Sequence, residues 1–169
     1  MSKVSMSFNL PDSGNTERLG AALARSLPEG EGAVLYLRGE LGSGKTTCAR
    51  SLLHALGITA RVRSPTYTLV DTYRIGDLNC VHVDLYRLRY AAEVEELGLR
   101  ELTGPGSLML IEWPEKGAAA VPPADLDLLL SYADESRVAA LRAANEVGGR
   151  WLAKLADDSS LVPYVSNIT

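Results

Sequence analysis

Two stretches of this chain are apolar at consecutive positions, and they organise the rest. Ala33-Val34-Leu35-Tyr36-Leu37 and Leu108-Met109-Leu110-Ile111 show no alternation, as strands covered on both faces do. They predict two central strands of a parallel sheet. Cys48, Ala49, Leu52, Leu53 and Leu56 instead recur at helical spacing, and Gly57 can end that helix. Leu19, Leu23 and Leu27 share the face of an earlier helix, opened by Pro11-Asp12-Ser13-Gly14 and closed by Pro28 and Gly30. Val4 to Leu10 predicts a first strand. Arg63 to Tyr73 alternates in the strand manner, Arg74-Ile75-Gly76-Asp77 reads as a turn, and Cys80 to Leu85 as the returning strand; together they predict an antiparallel hairpin.

Further on, Ala91 to Leu97 predicts a short acidic helix stopped by Gly98, with another turn over Leu99 to Leu102. Gly117 to Pro123 reads as a soft connection. Leu126 to Tyr132 and Val138 to Ala144 form a second hairpin around Asp134-Glu135-Ser136. Val147, Trp151 and Leu155 mark a closing helix. The final residues, rich in Asp and Ser, predict a frayed end. There is no internal repeat and no long linker. The pattern predicts an α/β fold whose sheet has a parallel centre and antiparallel additions. One domain is expected over residues 1–156 and a flexible tail over 157–169.

Composition narrows the class. The chain has 169 residues, 46% hydrophobic and 22% charged, values ordinary for a soluble globular protein. A net charge of −4 with a pI near 5.2 argues against an autonomous nucleic-acid binder, which carries a basic face. Arg87 and Arg89 lie close together, but no Lys/Arg block exists; any RNA is expected to be held by a partner. Cys48 and Cys80 match no zinc spacing and read as small core residues. No signal pattern and no membrane-length apolar run occur, so the expected location is the cytoplasm.

The chemistry sits between the first apolar run and the helix that follows. Gly39-Glu40-Leu41-Gly42-Ser43-Gly44-Lys45-Thr46 satisfies the phosphate-loop pattern G-x-x-x-x-G-K-[ST]. Its glycines let successive backbone N–H groups converge on phosphates. Lys45 would reach the terminal phosphates, and the Thr46 hydroxyl would bind the bridging magnesium ion. The strand before the loop and the helix after it supply the context this motif requires. Such a loop needs a carboxylate to complete the metal's surroundings, offered from a strand end where the crevice opens. Asp84 ends Cys80-Val81-His82-Val83, and Glu112 follows Leu108-Met109-Leu110-Ile111. Either acid can ligate directly; the sequence does not choose between them. Ser64-Pro65-Thr66-Tyr67-Thr68 reads either as a switch segment that senses the terminal phosphate or as an ordinary proline turn. His82 faces the same side of its strand as Asp84 and reads as a core or hydrogen-bonded residue. Trp113, after Glu112, either shapes the pocket, faces a partner or simply packs. His54 carries no signal. No Asn-Lys-x-Asp segment exists to read guanine, so ATP is the expected nucleotide.

Four motifs together resemble one family. Gly39 to Thr47, Ser64 to Thr68, His82-Val83-Asp84-Leu85-Tyr86-Arg87 and Glu112-Trp113-Pro114 are similar in order and spacing to the TsaE family, the small ATPase subunit of the bacterial tRNA threonylcarbamoyladenosine system. The resemblance spans roughly residues 5–155. It implies a Rossmann-like, three-layer P-loop fold, with ATP and magnesium as ligands. It also implies a role in modifying the adenosine beside the anticodon of tRNAs that read codons beginning with adenine. The family's subunit acts on the complex of the transferase subunit and its dimerising partner, and meets tRNA only indirectly; no membrane is involved. Carried over by motif, Leu41, Gly42, Ser43, Gly44, Lys45, Thr46 and Thr47 hold the phosphates. Thr46 and Glu112 bind magnesium, and Asp84 acts at the metal or the attacking water. Thr16 and Arg137 resemble positions near the nucleotide, and Ser64, Pro65, Thr66, Tyr67 and Trp113 form the switch and partner-facing set. The second hairpin around Asp134-Glu135-Ser136 matches only loosely, and the tail extends past the family core.

The leading expectation is a magnesium-dependent ATPase that is weak alone and stimulated by partners. Its motifs offer no arginine finger, a group worth about 10³–10⁵ in rate where present. Two alternatives share the loop. A small-molecule kinase would need an arginine-bearing lid, for which Arg87, Arg89 and Arg100 have no clear spacing. A non-catalytic interaction module would use nucleotide only to stabilise its fold.

Overall fold

The computed structural model describes residues 4–169, and its order of elements follows directly from the pattern of apolar runs. Strand β1 (Ser5–Leu10) leads into helix α1 (Ser13–Arg25), whose cap Asp12 accepts a hydrogen bond from the Asn15 N–H. Strand β2 (Ala33–Gly39), the loop and helix α2 (Lys45–Ala55) follow. A hairpin of β3 (Val70–Ile75) and β4 (Leu78–Asp84) precedes the short helix α3 (Ala92–Glu96). Strand β5 (Ser107–Glu112), a second hairpin of β6 (Leu126–Ala133) and β7 (Ser136–Ala143), helix α4 (Glu146–Ala156) and strand β8 (Val165–Ile168) complete the chain.

All eight strands form one sheet in the order β3-β4-β5-β2-β6-β7-β1-β8. Its centre, β4-β5-β2-β6, is parallel. Antiparallel partners extend it on both sides: β3 at one edge, and β7, β1 and β8 at the other. This is the expected α/β architecture. Because side chains alternate along a strand, each unbroken apolar run feeds two cores. Ala33, Leu35, Leu37, Leu108 and Leu110 pack under α1, α2 and α4. Val34, Met109 and Ile111 pack with Val81, Val83, Val94, Leu99 and Val121 on the opposite face. The same alternation turns His82, Asp84 and Glu112 toward the α2 face, at the end of the sheet where the loop sits. Among the described residues, no helix is long and apolar enough to cross a membrane.

Three expectations need correction. The strand predicted over Arg63 to Tyr73 begins only at Val70. Pro65 has no N–H to donate to a ladder, the Ser64 hydroxyl donates to Asp84, and Leu69 takes a left-handed φ of 66°, so residues 62–69 loop over the strand ends. The tail is not a frayed end. Leu161 is buried, Tyr164 and Val165 pack against the core, and β8 pairs with β1 across a register shift at Ser7/Phe8. The polar stretch over 157–160 hides this short apolar segment in the sequence; Asp158 there is bound by Arg25 at 2.9 Å. Finally, the soft connection after Gly117 contains a tight 3-10 turn over Ala118–Ala120, and a Cβ at Gly117 would lie 2.5 Å from Val121 Cγ1.

Helices α1 and α2 approach through Gly20, where an added Cβ would meet the Cys48 carbonyl oxygen at 2.5 Å and Ser51 Cβ at 2.9 Å. Gly20→Ala must therefore push the helices apart. We expect a loss of about 1–3 kcal/mol in urea unfolding, and a melting temperature lower by about 2–4 °C per kcal/mol.

Cys48 and Cys80 are free and buried. Burial, joined for Cys48 by the Glu112 charge, pushes the Cys48 thiol up to about 12, and burial alone pushes Cys80 up to about 11. The folded state thus holds these protons more tightly than the unfolded chain, whose thiols titrate near 9.0. Their contribution to stability is full below that value and fades as pH rises toward 11–12. At pH 8 a thiol reagent should label the native protein at less than about a tenth of the rate seen in urea.

Candidate functional site

The loop between β2 and α2 is shaped by residues only glycine tolerates well. Gly42 and Gly44 take φ values of 78° and 108°, in the left-handed region where a Cβ is strained. At Gly44 a Cβ would also press on Thr16 Cγ2 at 3.2 Å. Polar groups hold the loop from several sides. The Lys45 ammonium donates to the carbonyls of Gly39 at 2.7 Å and Glu40 at 2.8 Å. Tyr132 Oη donates to the Leu41 carbonyl at 3.2 Å, and Arg137 to the Gly42 carbonyl at 3.2 Å. Burial lowers the Lys45 pKa from its ordinary value, against the upward pull of Glu112, Asp84 and Glu115. The Trp113 ring lies 4.3 Å from Lys45 Nζ, a cation–π contact that keeps the charge at the cleft.

Both carboxylates sit on one rung of the parallel β4–β5 pair, where Asp84 faces Glu112. Their neighbours differ. Glu112 is buried and accepts from Thr46 Oγ1 at 2.9 and 3.0 Å, and its Oε1 lies 2.9 Å from His82 Nε2. Asp84 accepts from the Tyr86 backbone N–H at 2.9 Å and from the Ser64 hydroxyl, which in turn lies 3.1 Å from Thr66 Oγ1. Glu112 is thus tied to the loop helix, and Asp84 to the segment over 62–69.

These groups line a cleft of about 350 Å³. Thr16, Leu41, Gly42, Gly44, Lys45, Thr46, Thr47, Ser64, Thr66, Asp84, Glu112, Trp113 and Arg137 all face it. The remaining expected residues stand elsewhere. Ser43 is buried beneath the loop, where its Oγ would lie 2.5 Å from a Cβ on Gly39. Pro65 is buried, and its carbonyl accepts from Leu69 N–H at 2.7 Å. Tyr67 projects into solvent, 84% exposed, with the Arg87 guanidinium 4.6 Å from its ring centre. The link from His82 to Glu112 was not legible in sequence; its two-residue offset from Asp84 was the available signal. The tilted packing of Tyr86 against Trp113, with ring centres 5.2 Å apart and Lys116 over both rings, left no sequence signal.

The donor set suits a magnesium–nucleotide ligand. Thr46, Asp84 and Glu112 offer hard oxygen atoms, the kind that ion takes. The buried Thr16 Oγ1 and Arg137 Nε have no partner, although both residues line the cleft, and a polar ligand there would satisfy them.

A family model described as threonylcarbamoyl adenosine biosynthesis protein TsaE matches residues 10–140. The chain belongs to the TsaE family. Among curated TsaE-family relatives, the Haemophilus influenzae protein is 38% identical over 147 residues, spanning 85% of this chain and 93% of that one. The Synechocystis protein is 41% identical over 69% of this chain and 74% of its own. The Bacillus subtilis protein is 36% identical over 79% of each. All three bear the name tRNA threonylcarbamoyladenosine biosynthesis protein TsaE. The crystal structure of YdiB from Bacillus subtilis superposes with a TM-score of 0.73 over 92% of this chain and 97% of that one. At 24% identity, that likeness bears on the fold alone.

If Ser64 is what closes the TsaE-family segment over 62–69 onto Asp84, Ser64→Ala should loosen that segment and little else. Amide exchange over 62–69 should accelerate about tenfold, with overall stability changed by about 1 kcal/mol or less, the net worth of one hydrogen bond. Unchanged exchange would assign the loop's order to Pro65 and Leu69 instead.

Proposed function

We propose that this chain is the ATP-binding, weakly hydrolysing subunit required for threonylcarbamoyl modification of the adenosine beside the anticodon in tRNAs that read A-starting codons. It acts on the transferase subunit and its dimerising partner and meets tRNA only through them. The observation that carries this reading is the Thr46–Glu112 pair, which joins the phosphate loop to a buried strand end. Family membership supplies the tRNA context.

In this reading the Gly42–Thr47 backbone and Lys45 bind and orient the phosphates, and Thr46 and Glu112 hold the magnesium ion. When bound, that ion supplies positive charge against the phosphate oxygens during transfer. Asp84 has one oxygen fixed by Tyr86 N–H, while the other is engaged by Ser64. Release by Ser64 frees Oδ2 to accept a proton from a water aimed at the terminal phosphate. Arg137 is the arginine lining the cleft; one of its terminal nitrogens donates to the Gly42 carbonyl, while its Nε is buried without a partner. No second arginine lines the cleft among the described residues, which supports slow turnover by the isolated chain.

The decisive measurement is ATP hydrolysis with and without the two partner proteins. We expect slow turnover alone and a large stimulation by the partners together. Lys45→Ala should weaken nucleotide binding by calorimetry. Glu112→Ala should still assemble with the partners yet fail to support modification in cells. Intact modification with Glu112→Ala would favour a non-catalytic module. ATP-dependent phosphorylation of a hydroxylated metabolite would favour a kinase.

A further inference from the structure

His82 is fully buried on β4 between Val81 and Val83. Its Nε2 lies 2.9 Å from Glu112 Oε1, while its Nδ1 has no partner. The two neutral tautomers are unequal in this setting. A proton on Nδ1 would leave a buried donor unpaired and set the Nε2 lone pair against carboxylate lone pairs. A proton on Nε2 makes a donated hydrogen bond and leaves only an acceptor unpaired. The surroundings therefore favour the Nε2–H form. An apolar residue of similar volume would fill this strand position without burying an unpaired nitrogen, so fold stability alone does not call for histidine.

We propose that His82 is a positioning residue for Glu112, setting the carboxylate's orientation toward the cleft. The inference rests on the reading of Glu112 as a magnesium-holding group. Two donors from two elements grip the same carboxylate: Thr46 from α2 and His82 from β4. The strand register sets this up. His82 stands opposite Leu110 and Asp84 opposite Glu112, so the imidazole reaches two rungs forward, to the next acid on its own face of the sheet. With Oε1 held by His82 and the Thr46 hydroxyl set between Oε1 and Oε2, the carboxylate plane is fixed and its remaining lone pairs are available to the cleft. This is the task that outer hydrogen-bond partners perform for metal-holding side chains, where their removal costs about 10–100-fold in metal affinity or activity. His82 acts through Glu112 and does not line the cleft itself.

The test compares the full chain with His82→Leu, which removes the donor, and with His82→Gln, whose amide can still donate to Oε1. His82→Asn, polar but too short to reach Glu112, keeps the comparison decisive if the leucine variant fails to fold. Calorimetric titration with ATP is run with and without magnesium, beside thermal melting and partner-stimulated kinetics. In magnesium-free buffer all folded variants should bind ATP within about twofold of wild type. His82→Leu and His82→Asn should lose about 10–100-fold of the affinity that magnesium adds, with a matching fall in kcat. His82→Gln should recover most of both. If the leucine or asparagine variant folds and keeps wild-type magnesium enhancement and kcat, the proposal is overturned. It is also overturned if all variants lose melting temperature alike with no selective magnesium effect. If wild type itself binds no ATP in either buffer, it is the reading of the whole site that falls, and this inference with it.

Discussion

The hydrogen bond from the Thr46 hydroxyl to the Glu112 carboxylate is the contact on which the cleft depends. It joins the first turn of α2 to the last residue of a strand that is buried along its whole length. A glycine-rich loop has little conformational preference of its own, and its ordering is entropically costly. Here the cost is offset from outside the loop. The two ends are fixed by β2 and α2, and Thr46 ties the start of α2 to β5. Lys45 closes back on the Gly39 and Glu40 carbonyls, while Tyr132 and Arg137 hold the middle. A loop restrained at so many points presents its N–H groups in one arrangement, which is the preorganisation that phosphate binding rewards.

The sheet's register then separates the work of two acids that stand side by side. Asp84 and Glu112 occupy one rung, yet their partners come from opposite sides of the cleft. Glu112 is held by α2 and β4, elements that are packed into the core. Asp84 is held by Tyr86 and by Ser64, in a segment without regular structure. Two non-glycine residues near these acids take left-handed backbone angles: Leu69, at the end of that segment, and Trp113, directly after Glu112. Such angles cost roughly 1–3 kcal/mol each and persist where surrounding structure over-determines them. The strain thus lies in the connections flanking the acids, while the strands that carry them remain regular. On the proposed reading, one acid is fixed with the metal and the other is free to change partners with the state of the segment over 62–69.

Much of this was legible in the sequence because the relevant signals are local. The apolar runs at 33–37 and 108–111 mark the central strands, since a strand covered on both faces cannot alternate. The glycines, Lys45 and Thr46 mark the loop by spacing alone. What escaped was settled by contacts between distant positions. The strand-like alternation of Arg63 to Tyr73 was overruled by Pro65 and by a hydrogen bond to Asp84, twenty residues away. The edge strand at Val165–Ile168 is short and follows a polar stretch, and only its pairing with β1 gives it order. The choice between Asp84 and Glu112 as the partner of Thr46 depended on strand order, because β5 and not β4 lies beside β2.

That strand order also bears on the proposed dependence on partners. The loop leaves β2, and its immediate parallel neighbours are β5 and β6. One side therefore offers Glu112, and the other offers Tyr132 and Arg137 from the second hairpin. The cations nearest the phosphate loop, Lys45 and Arg137, are both bound to loop carbonyls. Charge that builds on a transferring phosphoryl group would have to draw Lys45 away from those carbonyls, use the one unpaired nitrogen of Arg137, or find a donor on another molecule. Arg87 lies against the exposed ring of Tyr67 and outside the cleft lining. In the proposed role, a site with its acids in position and its arginine tethered to the loop binds nucleotide readily and turns over slowly, and its rate passes to whatever surface closes over it. On the proposed reading, the transferase complex is that surface.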